Sequence, residues 1–135
     1  MYNYDDLLGT PFREHGRDKS GFDCLGLHLY LMRETGISIA CDSLFGSAAT
    51  MEGEVGQRLR RFYERIETPE PWCAVTMWTV HPRYTTHVGT VLENSRDFIH
   101  ILRNGRVVID RLDGVFRTKI TGFYRIRRDG GGADE

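Results

Sequence analysis

Three side chains in this sequence are of the kinds that can make and break an acyl bond: Cys24, His87 and His100. Cys24 stands where a turn-rich stretch gives way to an apolar run. The first position of a helix falls there, and unpaired backbone N–H groups together with the positive end of the helix dipole stabilise a thiolate. A thiolate nucleophile needs a base or cation beside it, usually a histidine oriented by a further polar group, and the partners need not be close in sequence. His87 and His100 lie in consecutive candidate strands joined by a turn around Asn94 and Ser95. An even number of loop residues sets the two rings directly opposite each other on one face, with Cβ atoms about 4.5–5.5 Å apart. An odd number sends them to opposite faces and removes the relay.

Each of these residues also has a plainer reading. Free cysteines are commonly buried for packing alone, and strand histidines are often surface polar groups. His28 follows Cys24 by one helical turn, so a zinc site built from Cys24, His28, His87 and His100 has to be weighed. No CxxC, HxxxH or HExxH spacing supports it, and a histidine in an apolar helix is more often a satisfied core residue. No metal or other cofactor is expected. His15 and His81 fall in loops and read as solvated. Trp72, Trp78, Phe98, Phe116, Phe123 and Tyr124 read as core rather than as base-stacking platforms. Gly9, Gly16 and Gly21 do not form a phosphate loop.

The elements that must position the chemistry follow from the pattern. GTPFREHGRDKSGFD reads as a turn-rich loop. Asp23 is a good N-cap and Gly36 a good C′ residue, so Cys24 to Thr35 is expected to be a helix. Its leucines surround the axis, so other elements should cover most of it. From Glu52 to Ile66, Val55, Leu59, Phe62 and Ile66 recur at helical spacing and predict a second, amphipathic helix, ended by Pro69 and Pro71. Beyond it the period shortens, and strands are expected at Trp72–Val80, Thr86–Leu92, Asp97–Leu102, Arg106–Leu112 and Ile120–Arg127. Asn104-Gly105 is a hairpin signal. Helices followed by strands give an α+β domain.

The chain has 135 residues and a mass of 15.5 kDa, which predicts one domain over residues 1–128 with a loose tail at 129–135. Its 18 basic and 19 acidic residues nearly cancel, so neither nucleic acid nor an anionic membrane is an expected partner. The basic residues are concentrated late, nine against three acidic between Arg96 and Arg128, which makes one face modestly basic. No apolar run is long enough to span a membrane, and the acidic start lacks a signal-peptide core, so synthesis in the cytoplasm without export is expected. Cys24, Cys41 and Cys73 are odd in number and widely spaced, against a disulfide framework.

In this order, GTPFREHGRDKSGFDCLGL and then THVGTVLENSRDFIH resemble the NlpC/P60 family of cysteine peptidases, over about Gly9 to Ile126. The start, with the GFYR segment at Gly122–Arg125, is most similar to the branch found in phage tails. The resemblance implies a papain-like α+β fold with the nucleophile's helix packed on an antiparallel sheet, and cleavage of peptide bonds in peptidoglycan stems or crosslinks. It implies that Cys24 attacks the carbonyl, His87 exchanges the proton and His100 orients His87, with the Cys24 N–H as an oxyanion donor. It places Phe12, Asp23 and Leu25 against the substrate. Many members carry Tyr at the position of Phe12 and Ser at that of Leu25, and the family's Pro-Gly-Asp segment appears only as Glu70-Pro71-Trp72. The branch implies a virion location and other tail proteins as partners. The competing expectations are a catalytically weak structural tail-tip subunit on the same fold, and a transferase or amidase using the same acyl-thioester chemistry.

Overall fold

A computed structural model describes residues 3–35, 63–79 and 87–126. Asp23 caps the one helix found among them, α1 (Cys24–Glu34): its Oδ1 accepts the Gly26 N–H at 2.7 Å, satisfying one of the donors that a helix start leaves unpaired. At the other end Thr35 returns its N–H to Leu31 O at 2.9 Å. Leu25, Leu27, Leu29, Leu31 and Met32 are all buried, as expected of a helix covered on most sides. Gly26 is required by contact: a Cβ there would collide with the Gly16 carbonyl oxygen. The loop before the helix, carrying the short hairpin β1 (Arg17–Asp18) and β2 (Gly21–Phe22), is thereby pressed against the nucleophile end of α1.

The remaining strands are β3 (Tyr63–Ile66), β4 (Ala74–Met77), β5 (His87–Val91), β6 (Asp97–His100), β7 (Val108–Arg111) and β8 (Ile120–Ile126). They form one antiparallel sheet in the order β3-β8-β4-β5-β6-β7. Five of the six match expected strands: β6 and β8 begin at the expected residue, and β4 begins two residues late, as does β7. Asn104 takes φ 62° in the turn where Gly105 N–H returns to Leu102 O at 2.8 Å. Arg106 and Val107, expected in β7, pair instead with the N-terminal segment: Arg106 bridges Pro11, and Val107 N–H reaches Thr10 O at 2.9 Å.

The expected helix over 52–66 needs correction where it is described. Tyr63–Ile66 is a strand, paired residue for residue with Phe123–Ile126 of β8. Cross-strand partners outweigh the helical spacing there: Arg125 Nε bonds Glu64 Oε2 at 2.6 Å, and the Arg65 guanidinium lies 5.8 Å from the Tyr124 ring centroid. Residues 52–62, Gly36 and the tail lie outside the described residues.

The sheet separates two apolar clusters. One face packs Ala74, Val88, Ile99 and Ile101 against the leucines of α1. The other gathers Val75, Met77, Val91 and Phe98 under Phe116, Ile120 and Phe123. Among the described residues no helix is long and apolar enough to cross a membrane.

Candidate active site

Cys24 is 7% exposed at the first position of α1. The backbone amide of Val88 in β5, the residue after His87, is near enough to favour the charged form of the thiol. The expectation that the helix end leaves an ionised thiolate is overturned. Burial pushes the thiol up to about 11; the Val88 amide opposes this, the Asp23 carboxylate adds to it, and the amides of Leu25 and Cys24 oppose it further. Desolvation of the anion outweighs the donors, so the resting sulfur is an S–H.

His87 opens β5 and His100 closes β6, and their rings meet: His87 Nε2 lies 2.8 Å from His100 Nδ1, with centroids 5.0 Å apart. They share a face as expected, but the register differs. Thr90 pairs with Ile99 and Val91 with Phe98, which continues the ladder to Gly89 opposite His100 and puts His87 on the diagonal. The four-residue turn over 93–96, tied by Leu92 N–H to Asp97 O at 2.8 Å, shifts the pairing by two positions. A shift of two preserves the face.

The far nitrogen of His100, Nε2, lies 2.7 Å from Asp110 Oδ2 on β7, and the ring packs against Phe98 and Phe116 at 4.4 and 5.1 Å. Asp110 was not singled out by sequence. Its signal is the β6–β7 hairpin, where Phe98 faces Asp110 and His100 faces Val108, placing the carboxylate diagonal to the imidazole. Burial, and then the neighbouring His100, lower His87 to about 3; burial lowers His100 as well, opposed by Asp110. Both rings are neutral near pH 7.

Alternation along β5 sends Val88 and Thr90 toward α1 and His87, Gly89 and Val91 to the opposite face. The sulfur therefore lies in the layer of α1, and the imidazole pair lies on the opposite face of the sheet.

His28 takes the plainer of its two readings. Nδ1 meets Thr90 Oγ1 at 2.7 Å and Nε2 meets the Tyr63 hydroxyl at 2.8 Å, and burial lowers it to about 4. Both nitrogens are engaged, so none is left for the weighed zinc site. Among the described residues no group of three or more His, Cys, Asp or Glu side chains is arranged to hold a metal ion. Asp23 is committed to Gly26 and to Arg17 Nη1 at 2.8 Å. Leu25 is 2% exposed in the core beneath α1. Phe12 is half-buried, with the Arg103 guanidinium 5.7 Å from its ring centroid. His15 is exposed, and Cys73 is buried away from the site. Cys41 and His81 lie outside the described residues.

Among the described residues, a helix whose first residue is a cysteine, laid on an antiparallel sheet bearing a histidine pair, makes this an α+β domain with the papain-like fold of NlpC/P60 domains. Solved structures carry that conclusion. The NlpC/p60 domain of the peptidoglycan hydrolase SagA matches with a TM-score of 0.59 at 19% identity, over 87% of this chain and 88% of that one. A protein of the NLP/P60 family from Staphylococcus aureus subsp. aureus Mu50, described as similar to lipoprotein, matches at 0.58 and 21%, over 89% of this chain and 37% of that one. An NlpC/P60 family protein from Bacillus cereus ATCC 10987 matches at 0.62 and 20%, over 88% and 36%. The chain thus spans just over a third of the latter two. No family model matches the sequence, and no curated protein matches it.

Proposed function

We propose that this protein is a thiol hydrolase that cleaves peptide bonds in peptidoglycan stem peptides or crosslinks. One observation carries the reading: a cysteine opens the helix packed on the sheet, and that sheet bears His87 hydrogen-bonded to His100 at 2.8 Å. His87 Nε2 is committed to His100, so Nδ1 is the nitrogen left for the thiol. With a neutral thiol and a neutral imidazole at rest, the proton passes from sulfur to His87 Nδ1 as the sulfur attacks the carbonyl, and then to the departing amine. The acyl-thioester formed is hydrolysed by a water deprotonated at the same nitrogen. The Cys24 N–H, at the positive end of α1, is the oxyanion donor in this scheme. The peptidoglycan substrate is supported by the fold shared with the SagA domain.

We extend this reading to a phage tail component whose partners are other tail proteins, on the resemblance of the DCLGL and GFYR segments to that branch. The rival, a structural subunit with little catalysis, is favoured by the Cys24 thiol standing at about 11. Purified sacculi separate the two. The wild type should release soluble peptide fragments, and Cys24→Ala should release none while keeping its circular dichroism; equal release by both ends the enzyme reading.

A further inference from the structure

We propose that Asp110 is a fourth member of the relay, a positioning residue that dictates which nitrogen of each imidazole carries the proton and so keeps His87 Nδ1 free as a base. The inference rests on the reading of Cys24 and His87 as nucleophile and base.

The argument is one of donors and acceptors. An ionised carboxylate only accepts, so at 2.7 Å from Asp110 Oδ2 the His100 Nε2 carries the hydrogen. A neutral His100 then has its lone pair on Nδ1, and the nitrogen 2.8 Å away, His87 Nε2, must donate to it. A neutral His87 is left with its lone pair on Nδ1. Without the carboxylate the chain of two rings reads equally well in reverse: His100 Nδ1–H donates to His87 Nε2, and His87 Nδ1 holds a hydrogen and cannot take one from sulfur. Asp110 removes that degeneracy. The His100 ring also packs against Phe98 and Phe116, and among the described residues Asp110 is the side chain recorded on its Nε2.

The position suits the role. Asp110 lies on the edge strand β7 with its side chain 34% exposed, and with Arg96, Asp97, Ile109 and Arg111 it lines an open cleft of about 430 Å³. One oxygen faces a ring that is 0% exposed while the residue as a whole reaches solvent.

The test reads proton positions by ¹⁵N NMR of histidine-labelled protein at pH 7.5, with hydrolysis measured in parallel. In the wild type both His87 and His100 should be Nε2–H. Asp110→Asn keeps the shape but its amide can also donate, so the His87 signal should become a mixture of tautomers. On stem-peptide substrate kcat should fall on the order of 10²-fold with KM little changed, and Asp110→Glu should recover part of both readouts. Tautomers that stay Nε2–H in folded Asp110→Asn and in Asp110→Ala overturn the proposal. If the wild type hydrolyses nothing yet the tautomers respond, the Asp110 assignment stands and the enzyme reading falls. If the wild type is active and the tautomers are unmoved, the assignment alone falls.

Discussion

His100 lies across the β5–β6 ladder from Gly89, and the missing side chain at Gly89 is what lets the imidazole of His87 reach it on the diagonal. A Cβ on Gly89 would stand 2.8 Å from Phe98 Cδ2 and 3.2 Å from His100 Cβ. Both contacts are tighter than a packed interior accepts without movement.

Gly89→Ala is therefore expected to lower stability by about 1–3 kcal/mol through overpacking and to displace the His100 ring. Urea unfolding measures the first effect. Loss of peptide release beyond what the stability change explains measures the second, and unchanged stability would show that Phe98 yields at no cost.

Cys24 alkylation should be slow at low pH. With the thiol pushed up to about 11 by burial, as is Cys73, the thiolate fraction at pH 6 is minute at both sites. Iodoacetamide labelling followed by mass spectrometry should show no preference for Cys24 over Cys73 at pH 6 and a rate that climbs steadily to pH 10. A fast, selective reaction at pH 6 would instead demonstrate a preformed ion pair.

Acid should destabilise the fold through its buried histidines. His28 falls to about 4 and His87 to about 3, from an ordinary value of 6.5. The folded pKa is the depressed one, so the unfolded chain binds protons first as pH drops. Stability is complete above about pH 6.5 and declines progressively toward pH 4 and then 3. Thermal melts between pH 8 and 4 should show this slope, and His28→Gln should flatten it.

Thr90→Val leaves His28 Nδ1 unpartnered in a buried site at nearly constant volume. A cost of about 1–3 kcal/mol is expected, read as a lower urea midpoint with an unchanged m-value. Restoring the hydroxyl with Ser should recover part of it.

How much of this was legible in the sequence depended on how local each signal is. Asp23 marks the start of α1 as an N-cap, so the position of Cys24 was readable. The strands around His87 and His100 announced themselves by β-branched runs. Their register did not, because pairings shifted by two positions satisfy the same alternation, and only the four-residue turn chooses between them. Tyr63 and Ile66 carried a helical spacing that tertiary pairing with β8 overrode. Asp110 was invisible for a similar reason: its partner is ten residues away across a hairpin whose turn had to be known first. The acidity of Cys24 was misjudged because helix-end donors are visible in sequence and desolvation is not.

The placement of sulfur and imidazole on opposite sides of β5 has a further consequence. Neither half of the molecule is armed by itself: a collapsed chain with α1 undocked holds a paired set of rings and no nucleophile, and a free helix holds a thiol and no acceptor for its proton. In the proposed mechanism the sulfur and the proton acceptor are assembled only when α1 is docked on the sheet.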